Sequence, residues 1–188
     1  RPEDAWTLGR KGEALRMLNR YEESLVFFDK SLALSSEDAW TLGRKGETLL
    51  ILGCYEEALV FFDKSLALSP EDAWTLAVKG DTLRMLGRYE EALVFFDKAL
   101  DLSPEDAWIL SGKGETLRLL NRYDEALVFF DKSLALRPED AWTLALKGEA
   151  LRMLNRYDEA LVFFDKSLAL RPEDAWTLGR KGEALRML

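Results

Sequence analysis

The sequence contains no histidine. Without an imidazole there is no Ser-His or Cys-His nucleophile pair and no imidazole metal site, and the commonest general base is missing. Cysteine occurs once, at Cys54, so no disulfide forms within the chain, and a reducing, cytoplasmic setting fits. Long hydrophobic runs are missing too. The longest, such as Ala58-Leu59-Val60-Phe61-Phe62, are far too short to cross a bilayer, and no membrane partner is expected. Arg1-Pro2-Glu3-Asp4 has no apolar core behind it, so no signal peptide is expected. Positive charge is in deficit, with 26 Lys and Arg against 34 Asp and Glu, and the net charge of −8 argues against nucleic acid as a partner.

What is present is a period. The tryptophans are Trp6, Trp40, Trp74, Trp108, Trp142 and Trp176, each 34 residues after the last. The five tyrosines keep the same step, as do five Phe-Phe pairs and the glycines from Gly12 to Gly182. The repeats are 1–34, 35–68, 69–102, 103–136 and 137–170. Residues 171–188 then repeat residues 1–18 letter for letter. A fixed period of this size marks a solenoid array.

Each repeat holds two helical patterns with a break between them. In the first, from Pro2 to Leu18, Leu8, Gly12, Leu15 and Leu18 recur at steps of three or four and form one buried stripe. Ser69-Pro70-Glu71-Asp72 signals its start, with either Ser69 or Asp72 as the cap. Asn19-Arg20, Gly53-Cys54 and Gly87-Arg88 end it, because Asn and Gly tolerate the left-handed backbone. The second, from Tyr21 to Leu34, buries Tyr21, Ser24, Leu25, Phe28, Ser31 and Leu32. Glycine inside a helix costs about 1 kcal/mol against alanine. Its return in all six copies implies close approach of the paired helix.

The 34-residue pattern of Gly12, Ala14, Tyr21, Ser24, Phe28, Ser31 and a junction proline resembles the tetratricopeptide repeat along the whole chain. The resemblance implies an all-α, right-handed α-α superhelical solenoid, in one array, whose first helices line a concave groove. Three departures stand out: Leu8 takes the place of the family's helix-A aromatic, Lys11 that of a leucine, and Ser36 that of a junction proline. The first two are expected to alter what faces the groove. The places of the lysine and asparagine that clamp chaperone tails in the family hold Gly9 and Glu13, so that specificity is not expected.

No catalytic, cofactor or metal site emerges. Glu3-Asp4 and Glu71-Asp72 read as charges in a helix's first turn, and Asp29-Lys30 as a solvated face. The candidate surface is the back of the first helix, where Trp6, Arg10, Glu13 and Met17 share one side. Equivalents are Trp40, Arg44, Glu47 and Ile51, then Trp74, Val78, Asp81 and Met85. Trp108, Glu115 and Leu119 follow, then Trp142, Leu146, Glu149 and Met153. Each tryptophan either seals the joint with the neighbouring repeat or meets a ligand, and the two roles are compatible. The pair Gly9-Arg10 becomes Ala77-Val78, Ser111-Gly112 and Ala145-Leu146, which reads as a varied recognition surface or as drift.

The second-helix segments carry seven of the eight net negative charges, so an acidic partner fits the first helices. The expected function is a non-catalytic scaffold that binds a peptide or protein segment. Rival readings are a self-assembling array stacked end to end, through exposed Leu178, Leu185 and Leu188, and an adaptor portion of a larger protein.

Overall fold

The computed structural model describes residues 4–188; Arg1, Pro2 and Glu3, with the expected helix start at Pro2, lie outside the described residues. Eleven α-helices and no strand occur among the described residues. They are α1 (Ala5–Met17), α2 (Tyr21–Leu34), α3 (Ala39–Ile51), α4 (Tyr55–Leu68), α5 (Ala73–Met85), α6 (Tyr89–Leu102), α7 (Ala107–Leu119), α8 (Tyr123–Leu136), α9 (Ala141–Met153), α10 (Tyr157–Leu170) and α11 (Ala175–Arg186). None of them is long and apolar enough to cross a membrane.

The chain forms two compact units, Arg1–Arg88 with α1 to α5 and Tyr89–Leu188 with α6 to α11. In the first, α1 packs on α2 and α3 on α4, while α2 meets α3 and α4 meets α5. In the second, α7 packs on α8 and α9 on α10, and the joints are α6 with α7, α8 with α9 and α10 with α11. First helices also touch the next first helix: α1 and α3, α3 and α5, α7 and α9, α9 and α11.

The aspartate, not the serine, caps each first helix. Asp38, Asp72 and Asp140 accept from the main-chain N–H of Trp40, Trp74 and Trp142 at 3.2 Å. A carboxylate there answers an amide without a helical partner and complements the dipole. Ser69 closes the preceding helix instead, with its N–H bonded to Ser65 O. Pro70 and Glu71 therefore lie in the turn before the helix rather than in its first turn. At the other end Asn19, Asn121 and Asn155 adopt φ near 60°, and Gly53 and Gly87 φ of 77° and 74°. The chain reverses through a left-handed residue, after which Arg20 N–H reaches back to Leu15 O at 2.9 Å. Where asparagine makes the turn, Tyr21 Oη donates to Asn19 Oδ1 at 2.7 Å. In α1 the buried stripe stops at Leu15, because Leu18 is the exposed cap residue.

Phe28, Phe62, Phe96, Phe130 and Phe164 have no exposed surface. The glycine has a steric cause. A Cβ on Gly12 would stand 2.7 Å from Phe28 ring carbons, and one on Gly46 would stand 2.6 Å from Phe62. Gly114 and Gly148 meet Phe130 and Phe164 at 2.7 Å. Side-chain hydroxyls fasten the same pairing: Ser24 Oγ donates to Gly12 O at 2.8 Å, and Ser133 and Ser167 donate to Ala107 O and Ala141 O at 2.8 Å.

The lysine before the glycine does not face the tryptophan side. Lys45 Nζ pairs with Asp29 of the preceding second helix at 2.5 Å and lies 4.0 Å from the Phe61 ring centroid. Lys79, Lys113 and Lys147 pair likewise with Asp63, Asp97 and Asp131. Asp29 is thus solvated and also a brace between repeats.

Gly114→Ala should therefore destabilise by about 1–3 kcal/mol, since the ring it meets cannot yield without opening the core. Gly179 meets nothing within 4 Å, so Gly179→Ala should stabilise by about 0.5–1 kcal/mol through helix propensity. Urea denaturation of the two variants checks both signs. Nearest-neighbour packing further predicts that deleting residues 35–68 preserves ellipticity per residue and lowers the urea midpoint.

Candidate partner-binding face

On the first helices, steps of four, three and four residues bring the tryptophan, the next two polar places and the Met/Ile/Leu place to one side. Trp6, Trp74 and Trp142 expose 70%, 45% and 41% of their surface, far more than a core tryptophan would. Trp108 is exposed as well, and Trp40 is half-buried. Met17, Ile51, Met85 and Met153 are exposed, with Leu119 half-buried.

In the first unit Trp40 and Trp74 lean on the first helix before their own. Trp40 lies under the Arg10 guanidinium at 4.4 Å, and Arg10 also covers Trp6 at 5.5 Å. Both distances are within cation–π range. Trp74 Nε1 donates to Glu47 Oε1 at 2.7 Å. Glu47 is buried and also accepts from Arg44 Nη1 at 2.9 Å, with Arg16 at 3.6 Å. Glu13 pairs with Arg16 at 2.7 Å. That bond, followed by the charges of Arg16, Arg44 and Arg10, holds the Glu13 carboxyl below the usual range. The same bond, followed by the charges of Glu13 and Glu47, raises the Arg16 guanidinium. Asp81 pairs with Arg84 at 2.6 Å.

The second unit uses the same parts. Trp142 and Trp176 tilt against each other with centroids 5.5 Å apart. Glu149 is buried and bonded to Arg152 at 2.7 Å, with Arg180 at 3.9 Å. Arg152 reaches on to Glu183 at 3.4 Å, while Glu115 lies 4.0 Å from Arg118. A hydrogen bond from Arg180 lowers the Glu183 carboxyl.

Some stripe residues do not point outward. Val78 and Leu146 are 4% and 1% exposed, the former packed with Ala58 and Phe62, the latter with Ala126 and Phe130. Beside them Gly9, Gly43, Ala77, Ser111 and Ala145 are buried, and Ser111 Oγ shares a hydrogen bond of 2.7 Å with Thr143. A Cβ at Gly9 would come within 3.0 Å of Thr41 and 3.5 Å of the Trp40 ring. The variable pair therefore lines the joint between successive repeats, and only Arg10, Arg44 and Arg180 reach the face from it. Arg16, Arg84, Arg118 and Arg152, outside the stripe that spacing defines, neutralise its acids. Their signal was an arginine three residues after each acid, broken at Leu50.

The face so built offers half-exposed indole rings, guanidinium groups and a row of flexible apolar side chains.

A family model described as tetratricopeptide repeat matches residues 37–105 and 105–173. No curated protein matches the sequence. Among solved structures, YrrB, described as "a TPR protein with an unusual peptide-binding site", is 26% identical, with TM-score 0.78 over 95% of this chain and 92% of that one. TTC0263 of Thermus thermophilus is 25% identical, with TM-score 0.74 over 97% and 99%. MamA of Desulfovibrio magneticus, at 23% identity and TM-score 0.82 over 91% and 97%, shares the fold. The helix pairing, the glycine-phenylalanine contact and these matches agree: the chain belongs to the tetratricopeptide repeat family.

Proposed function

We propose that the chain is a non-catalytic, cytoplasmic scaffold that binds a peptide or protein segment on the tryptophan face of its first helices. The observation that carries this reading is the half-exposure of several indole rings. Arg10 stacks on Trp40, and Glu47 holds Trp74 by its Nε1 while the Trp74 ring stays exposed. Pre-set rings beside a row of exposed Met and Ile side chains lose little conformational entropy when a partner docks. The description of YrrB as peptide-binding supports the same reading.

Contact residues in the first unit are Trp6, Arg10, Met17, Trp40, Ile51, Trp74 and Met85; in the second they are Trp108, Leu119, Trp142 and Met153. Glu13, Arg44, Glu47, Asp81, Glu115 and Glu149 hold this surface, while Val78 and Leu146 support it from beneath. Since the acids are already engaged by arginines, the exposed Arg10 favours a partner that brings carboxylates as well as apolar side chains.

Selection from a random peptide library on the chain, followed by calorimetry, tests this. Enriched peptides should combine Asp or Glu with aromatic or aliphatic residues. Trp74→Ala and Met85→Ala together should weaken them by about tenfold or more, which is about 1.4 kcal/mol, with unchanged circular dichroism. Arg10→Glu should weaken acidic peptides selectively and abolish part of the salt dependence. Equal binding to the variant without these side chains would refute the assignment of this face.

A further inference from the structure

The place held by Arg10 on α1 passes through Arg44, Val78, Gly112 and Leu146 to Arg180 on α11. An arginine there lies over the tryptophan of its own helix: Arg10 over Trp6 at 5.5 Å, Arg44 over Trp40 at 5.8 Å and Arg180 over Trp176 at 5.6 Å. Arg10 also stacks on Trp40 of the next first helix at 4.4 Å. A planar cation thus fills the space between two indoles, and Trp40 is half-buried beneath it.

In the second unit, α7 and α9 repeat this seat without the cation. Asp140 accepts from the Trp142 N–H at 3.2 Å, as Asp38 does from Trp40. Ser111 and Thr143 hold α7 to α9 through their hydroxyls, 2.7 Å apart. Trp142 tilts against Trp176, and among the described residues no cation stacks on it. Where α1 has Arg10, α7 has Gly112. A Cβ on Gly112 would stand 2.9 Å from the Phe96 ring, so Phe96 keeps the chain from placing a side chain of its own there. Trp142 is left 41% exposed.

We propose that the surface of Trp142 beside Gly112 is a slot for an arginine side chain of the bound partner, which plays on Trp142 the part that Arg10 plays on Trp40. Trp108 is to this slot what Trp6 is to Arg10. A guanidinium is the group selected, because it is planar, weakly hydrated and stacks on an indole face. Glu115 supplies the balancing carboxylate three residues after Gly112, as Glu13 does after Arg10. Arg118 does not exclude a second cation. Arg16 stands in the same relation to Arg10, and the structure holds both beside Glu13. The inference rests on the reading of the tryptophan face as a docking surface and refines it. Arg10 in the first unit favours a carboxylate of the partner, whereas the second unit takes an arginine.

Indole ¹H–¹⁵N resonances of the labelled chain, titrated with N-acetyl-arginine amide, test the slot. Trp40→Phe and Trp142→Phe assign the two signals that matter. The Trp142 signal should move about threefold or more further per added ligand than with the citrulline counterpart, which has nearly the same shape and no charge. The Trp40 signal should move little, because Arg10 already lies on that ring. Arg10→Ala vacates the equivalent place, and Trp40 should then respond as Trp142 does. Uniform shifts at every tryptophan, equal shifts with citrulline, or a Trp40 signal that stays still in Arg10→Ala would each overturn the proposal. A library peptide that binds through Trp74 and Met85, while Trp142 ignores arginine, would overturn the slot and leave the docking surface standing. A Trp142 response from a chain that selects no library peptide would support the slot and refute the segment-binding reading.

Discussion

The contact between a phenylalanine ring and a helix surface without a side chain sets the geometry of the α1–α2, α3–α4, α7–α8 and α9–α10 hairpins. Gly12 lets Phe28 lie where a Cβ would stand 2.7 Å away, and the same fit recurs at Gly46, Gly114 and Gly148. With the ring in that slot, Ser24 comes within reach of Gly12 O and Ser31 within reach of Ala5 O. The rotation of the first helix about its axis is thereby fixed. Leu8 and Leu15 are turned inward, while Trp6, Arg10 and Met17 are turned outward. The composition of the exposed face follows from that one buried contact.

Charges work on two sides of this frame. Away from the tryptophans, lysines such as Lys45 bridge to the preceding second helix through Asp29. On the tryptophan side, arginines such as Arg16 and Arg152 hold the stripe acids and link one first helix to the next. Exposed pairs of the first kind contribute little each, about 0–1 kcal/mol. The second kind are more enclosed, and they also orient rings, as the bond from Trp74 to Glu47 shows. Buried Glu47 and Glu149 thus position the surface rather than form it.

Repetition places the same apparatus at each first helix, while small changes adjust the joints. Val78 and Leu146 fill a joint with hydrocarbon, where Arg44 and Arg180 send a guanidinium to the face instead. A substitution at that place alters packing and surface together, which ties the spacing of neighbouring repeats to what they present.

Much of this was legible in the residues alone. The 34-residue period fixed the number of helices, and the Asn or Gly turns fixed where each first helix ends. The constant glycine announced a close approach, because an intrahelical glycine is retained against its propensity only when space is short. Spacing also put Trp6, Arg10, Glu13 and Met17 on one side, since helix periodicity is a local property. Periodicity could not tell how deep each of those side chains lies, as depth depends on the helix that packs alongside. Hence Val78 and Leu146, which spacing places on the stripe, are buried in clusters with Phe62 and Phe130 of the neighbouring repeats. Lys45 likewise reaches a partner, Asp29, that lies 16 residues away and on another helix. Local pattern decided which residues form helices and which way they face. Burial and ion pairing came from tertiary structure, because both are set by atoms that the chain brings close only when it folds.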